Sequence, residues 1–254
     1  LYEKTLLAGA PKDYNITSVG SRQILNLTQS PLTEFTSEPG WLIFFQPKTL
    51  SDILLMLEAT EMTRQITLDE WGRIFCSESY HLINKGAINI TSLKIRVPQD
   101  TYDIHAQNKS GASLTVSIQI GNATAPTNAT ISFTEPIQKA MESAFIVTYW
   151  LPWKNYVNQY SWRDYSISLA FFERQNLDWI IRKLTTSITL PEGAYFIELP
   201  TLPENLHSKA YSSLQKNAFQ ETLTYNFHNV TPSDNLNFRF SYGYLIFWSS
   251  FRPT

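Results

Sequence analysis

Thr115-Val116-Ser117-Ile118-Gln119-Ile120 alternates polar and apolar residues without a break. Successive side chains of a strand point to opposite faces, so this stretch reads as a strand with one dry and one wet face. The same period of two recurs in Ser166-Ile167-Ser168-Leu169-Ala170-Phe171 and Asn235-Leu236-Asn237-Phe238-Arg239-Phe240. Leu93-Lys94-Ile95-Arg96-Val97 repeats it and stops at Pro98, and Ser187-Ile188-Thr189-Leu190 stops at Pro191. Turn signals separate these runs: Asn84-Lys85-Gly86, Asn108-Lys109-Ser110-Gly111 and Pro191-Glu192-Gly193. Many strands with no alternating helices predict an all-β fold, an antiparallel β-sandwich. Leu50 to Met62 reads either as a short helix capped by Ser51-Asp52 or as the lead into a strand ending at Leu68. Met62 to Leu68 shows no helical apolar stripe, which favours the strand.

Composition narrows the function classes. In 254 residues, 20 Lys+Arg nearly balance 22 Asp+Glu, for a formal charge of −2. That excludes a nucleic-acid-binding stripe and a polybasic membrane anchor. Charged residues are 17%, below the roughly 25% usual in globular chains. Hydrophobic content of 43% excludes disorder. A single cysteine, Cys76, excludes a disulfide framework and a multi-cysteine zinc site.

Seven Asn-x-Ser/Thr triplets occur, at Asn15, Asn26, Asn89, Asn108, Asn122, Asn128 and Asn229, none with Pro in the middle. With 16 Asn and 49 Ser+Thr, chance gives about three such triplets, so the enrichment is about twofold and points to a glycosylated, extracytoplasmic surface. Pro232 directly after its triplet makes Asn229 the weakest acceptor. The start, Leu1-Tyr2-Glu3-Lys4, has no signal-peptide pattern. No apolar run reaches the roughly 18 residues of a membrane helix. The expected picture is an excised extracytoplasmic portion of a longer, membrane-anchored protein.

An internal repeat is suggested by Gly40-Trp41-Leu42-Ile43-Phe44-Phe45-Gln46-Pro47-Lys48-Thr49 and Gly243-Tyr244-Leu245-Ile246-Phe247-Trp248, which runs on to Arg252-Pro253-Thr254. It predicts the last strands of one β unit over residues 1–49 and a complete sandwich over 50–254.

Chemistry-bearing constellations are sparse. His81, His105, His207 and His228 are scattered, with no i, i+4 pair on a helix, so no metal site is expected. Cys76 lies in strand-like text and reads as a small core hydrophobe. There is no Gly-x-Ser-x-Gly elbow, phosphate-cradling loop or His-Glu-x-x-His. No catalytic residue and no cofactor is expected. The densest signal is aromatic: Tyr149-Trp150-Leu151-Pro152-Trp153-Lys154-Asn155-Tyr156, then Tyr160-Ser161-Trp162-Arg163. Trp150, Trp153, Tyr156 and Trp162 are candidates for an interaction surface. Core and edge packing explains such a cluster equally well, and the residues leave both open. Trp71, beside Gly72, reads as core.

Several segments, in order, resemble the lumenal part of the ribophorin I family, the large accessory subunits of eukaryotic oligosaccharyltransferase. They are Met62-Thr63-Arg64-Gln65-Ile66-Thr67-Leu68-Asp69-Glu70-Trp71-Gly72-Arg73-Ile74, running on to Asn84-Lys85-Gly86-Ala87; Phe145-Ile146-Val147-Thr148-Tyr149-Trp150-Leu151-Pro152; Leu184-Thr185-Thr186-Ser187-Ile188-Thr189-Leu190-Pro191-Glu192-Gly193-Ala194; and Tyr225 to Tyr244. Their order matches the second lumenal domain of that family. The resemblance implies a non-catalytic accessory role, with a catalytic oligosaccharyltransferase subunit as partner and a membrane helix outside this sequence. It carries over no catalytic residue. The family's complete first lumenal domain and its membrane helix are missing here. Low Lys content with heavy Asn, Thr and Tyr usage looks archaeal. The alternative is a cell-surface structural or adhesive β-sandwich, in line with the repeat and the triplets. A hydrolase lacks its residues.

Overall fold

A computed structural model describes residues 57–244, apart from 87, 122–126, 174–180, 203–205, 207–209, 218 and 231–235, and the backbone of 2–5, 14–19, 22–27 and 44–47. The chain divides into two compact units, Leu1–Leu55 and Met56–Thr254. In the first, β1 (Tyr2–Thr5) pairs antiparallel with β4 (Phe44–Pro47), and β2 (Tyr14–Val19) with β3 (Arg22–Leu27). Asn15 and Asn26 face each other in the β2–β3 register. Most of the two segments of the proposed repeat lies outside the described residues.

The second unit runs β5 (Leu57–Leu68), β6 (Ile74–Asn84), β7 (Ile90–Val97), β8 (Tyr102–Asn108), β9 (Ser113–Gln119), β10 (Thr127–Ile137) and β11 (Glu142–Leu151). A single short helix turn, α1 (Trp153–Tyr156), follows. Then come β12 (Val157–Gln159), β13 (Asp164–Ala170), β14 (Ile181–Thr189), β15 (Tyr195–Glu198), β16 (Ala210–Lys216), β17 (Glu221–Val230) and β18 (Asn237–Gly243). The fold is all-β. From Leu57 the ambiguous early segment is strand, and its first residues lie outside the described set.

Ten strands form one sheet in the order β16-β17-β14-β5-β6-β11-β8-β9-β10-β7. Four form a second, β12-β13-β18-β15. Pairing among the described strands is antiparallel, as expected, except that β14 runs parallel to β5. Parallel neighbours need a long connection, and here every strand from β6 to β13 lies between them in sequence. Alternation within a strand carries no information about its neighbour's direction. Only two residue pairs, Ala106↔Leu114 and Gln107↔Ser113, join β8 to β9. Strands β9, β10 and β7 therefore form a wing of the sheet.

The sheets pack face to face around aromatic side chains. Phe171, just after β13, stacks on Phe238 of β18 at 4.3 Å between ring centroids. It also meets Tyr225 and Phe227 of β17, both at 4.9 Å. The Thr186 hydroxyl of β14 donates to the Phe171 carbonyl at 2.9 Å. Around this contact the alternating apolar residues of β5, β6, β11 and β14 close the core, among them Met62, Ile66, Phe145, Val147 and Ile188, each at most 1% exposed.

Side chains also fix the turns. The Asp69 carboxylate accepts from the backbone N–H of Trp71 (2.9 Å) and of Arg73 (2.7 Å) and closes the β5–β6 turn, with Gly72 at φ +74°. Asn108 does the same for the β8–β9 turn, accepting from the N–H groups of Ser110 and Ala112. Asn84 is fully buried and ties two loops together, donating to the carbonyls of Ile88 (2.8 Å) and Ile137 (2.9 Å).

Candidate functional site

The apolar inner face of the ten-stranded sheet contains one polar row. Tyr225, Thr186, Arg64, Glu78 and Val147 are successive register partners on β17, β14, β5, β6 and β11. Alternation places Arg64 between Met62 and Ile66, all three pointing into the core. The Arg64 side chain is wholly buried, and that of Glu78 is 1% exposed. Glu78 accepts from the hydroxyls of Tyr80 (2.5 Å) and Tyr149 (2.6 Å). Arg64 Nε lies 3.5 Å from Glu78 Oε1, and Nη1 lies 3.8 Å from Glu173 Oε1. At those distances the guanidinium has counter-charges but no hydrogen bond from any of its three nitrogens.

Burial sets the protonation of this cluster. It pushes the Tyr80 and Tyr149 hydroxyls well up, and Glu78 adds to the effect, so both stay protonated donors. Burial also lifts the Cys76 thiol to about 11, which leaves it an unreactive thiol. The Glu173 carboxyl is raised, mainly by burial, against the opposing pull of Arg64. Desolvation works against the charge of Arg64, but its anionic surroundings outweigh it and the guanidinium stays charged. The pair lies buried between the two sheets, at facing register positions of β5 and β6.

Glu173 also borders the surface. With Asp100, Asn155, Tyr156, Ser168 and Asn237 it lines a groove of about 560 Å³. Ser168 and Asn237 are shared with a second hollow of about 780 Å³ that includes Glu198, Thr201 and Arg239. The Tyr156 hydroxyl donates to the Gln99 carbonyl at 2.5 Å, and the Asn155 amide to Asp100 at 2.7 Å. Asp100 holds a left-handed backbone, φ +59°. Burial and the nearby carboxylates of Glu173 and Asp100 keep the Tyr156 phenol protonated. Among the described residues, no group of three or more His, Cys, Asp or Glu could hold a metal ion.

The aromatic candidates do not form one patch. Trp150 lies on the outer face of β11, 4.9 Å from the Phe75 ring, with the Arg73 guanidinium 4.9 Å from its centroid. Trp153 in α1 meets Tyr165 edge-on at 6.0 Å and lies against Gly72. Tyr156 enters the groove. Only Trp162, of these four, is mostly exposed, at 69%. Trp71, expected in the core, is 80% exposed. The Asp69-capped turn holds it outward, and its period-two position says nothing once the strand has ended.

The triplets divide likewise. Asn89 and Asn229 are exposed. Asn128 is 7% exposed within β10. The Asn108 carbonyl oxygen is used in its turn. Asn122 lies outside the described residues, and of Asn15 and Asn26 only the backbone is described. Sequence reading missed Arg64, Glu78, Tyr80 and Tyr149 as a group. The one available signal was two charged residues, Arg64 and Glu78, at core-facing positions of alternating strands.

The Ribophorin I family model matches residues 142–252, from the start of β11 past the end of β18. Three of the four segments quoted for the resemblance lie within that span, and Met62–Ala87 precedes it. Among solved structures, the chain is similar to the M1 zinc metallopeptidase of Deinococcus radiodurans. The two share 11% identity over 74% of this chain and 42% of that one, at a TM-score of 0.44. It is similar to yeast LTA4 hydrolase at 8% identity over 73% of this chain and 29% of that one, TM-score 0.42. The chain thus spans less than half the length of those proteins, and likeness at this level says nothing about activity.

Proposed function

We propose that the chain is the extracytoplasmic part of a ribophorin I-like, non-catalytic accessory subunit of an oligosaccharyltransferase complex for protein N-glycosylation. The observation that carries this reading is the family match over residues 142–252. That span supplies β11, β14, β16 and β17 to the large sheet and every strand of the small one. The partner is the catalytic transferase subunit, and a membrane helix outside this sequence anchors the whole protein. Side-chain usage suits an archaeal relative. Among the described residues, Asn89 and Asn229 are exposed candidate acceptors, Asn229 the weaker for its following Pro232, and Trp162 leads the interaction residues.

Affinity purification of the full-length protein from native membranes tests the assignment. A catalytic transferase subunit should co-purify in fixed ratio. A monomer without such a partner, or a self-assembled lattice of the protein alone, overturns it.

A further inference from the structure

Strand register fixes which loops share an end of the second unit. Leu68 pairs with Ile74, Ile74 with Leu151, Thr67 with Thr189, and Thr189 with Thr222. In the small sheet, Gly243 pairs with both Asp164 and Tyr195. Two contacts carry this end across from sheet to sheet. Trp153 lies between Gly72 and Tyr165, and the Gly193 N–H donates to the Phe219 carbonyl at 2.6 Å. The β5–β6, β16–β17 and β12–β13 turns and the starts of β8 and β15 therefore lie together.

Nearly every exposed aromatic residue of the described set is at that end: Trp71, Tyr102, Tyr160, Trp162, Tyr195 and Phe219. Tyr211, toward the other end, is the exception. The two tryptophans are the most exposed of the group, and ordered turns hold both. Trp71 follows the doubly accepting Asp69. Trp162 lies in a turn where the N–H groups of Tyr160 and Ser161 both donate to the Asp164 carbonyl. Rigid loops that hold several rings in water mark a contact surface.

A second observation concerns the chain's onward path. The Tyr244 N–H donates to the Arg163 carbonyl at 2.8 Å, so the chain leaves β18 beside Trp162. The next residues read Leu245-Ile246-Phe247-Trp248-Ser249-Ser250-Phe251-Arg252, apolar and aromatic with one charge. Exposed Arg73, Lys154 and Arg163 accompany the rings. Trp and Tyr mixed with Arg and Lys, where an apolar segment departs, is the composition found at the headgroup level of a bilayer.

We propose that this end of the second unit docks on the interfacial layer of a lipid bilayer, with Trp71 and Trp162 as the inserted rings. Basic residues there are matched by Asp69, Glu70, Asp164 and Glu192, and the whole chain carries −2. The attraction therefore comes from the rings, and needs neither anionic lipid nor low salt. It holds or fails separately from the transferase assignment, since a surface-array protein with this end would dock as well.

The test is flotation of the 254-residue chain with phosphatidylcholine vesicles, at low and high salt. The parent chain should float at both. Trp71→Ala with Trp162→Ala should lower the partition coefficient about tenfold or more, because each ring removes a large apolar area from water on insertion. Tyr211→Ala should leave it unchanged. Failure of the parent to float overturns the proposal, as does undiminished flotation of the double variant. So does a double variant that floats normally and loses only a protein partner.

Discussion

The two faces of the ten-stranded sheet are one residue apart in sequence and opposite in what they ask of a polar side chain. On the inner face the register row is Tyr225, Thr186, Arg64, Glu78 and Val147; on the outer face it is Thr224, Ser187, Gln65, Ser77 and Thr148. The outer row is the more uniformly polar, yet water can serve each of its groups. The inner row holds one cation and one carboxylate, and nothing but its neighbours can serve them. Desolvation multiplies the consequence of every inner contact.

The sharpest way to break this contrast is Glu78→Ala. It leaves Arg64 buried beside Glu173 alone and removes the acceptor of two tyrosine hydroxyls. We expect a loss of about 3–5 kcal/mol, read from the urea midpoint of the chain by tryptophan fluorescence. The double change Arg64→Met with Glu78→Leu should recover the part due to the stranded guanidinium, since well-packed apolar residues often match a buried pair in stability, and leave the part due to the two tyrosine hydroxyls that lose their acceptor. A double variant no better than Glu78→Ala would show that the row contributes more than charge balance.

Tyr149→Phe probes one arm of the network. Glu78 keeps the Tyr80 donor, so the loss should be smaller, about 1–2 kcal/mol. An effect as large as that of Glu78→Ala would mean that the two donors act as a unit.

Glu173 sharpens the comparison at the border between core and solvent. Burial raises its carboxyl above the ordinary value of 4.5. A raised folded pKa favours folding while the carboxyl is protonated in both states, and that contribution is lost as pH rises through the folded value. Acidifying from neutral toward 4.5 should therefore favour the parent chain by a component that Glu173→Gln lacks. Identical pH dependence of the two midpoints would remove Glu173 from the account. The smallest expected effect belongs to the outer row. Gln65→Ala should change stability by no more than about 0.5 kcal/mol, and a larger loss would mean that a partner or another segment covers that face.

Much of the fold was legible because burial in a strand leaves a period of two. The runs over Leu93–Val97, Ser166–Ala170 and Ser187–Thr189 lie in β7, β13 and β14. The stretch Thr115–Ile120 is instructive because its alternation is the cleanest and its burial among the poorest. Ile118 and Ile120 are 46% and 82% exposed. Ile118 lies near the end of β9 and Ile120 just past it, in the wing, which shares only two residue pairs with β8. Alternation reports that a strand can bury one face, and the neighbours decide whether it does. The candidate aromatic residues were found in one run of sequence. Their separation into a cation-facing ring at Trp150, a packed ring at Trp153 and an exposed ring at Trp162 follows from a chain that leaves β11, turns once in α1 and enters the other sheet.

The sequence by itself determined the class of fold, the positions of several turns and the resemblance in its second half, because each rests on local pattern or on order along the chain. Tertiary structure decided the parallel junction of β5 and β14, the Arg64–Glu78 row and the gathering of exposed rings at one end. Each of these depends on which strands become neighbours. That choice is made by packing between residues more than a hundred positions apart, such as Arg64 and Thr186, and no local period records it.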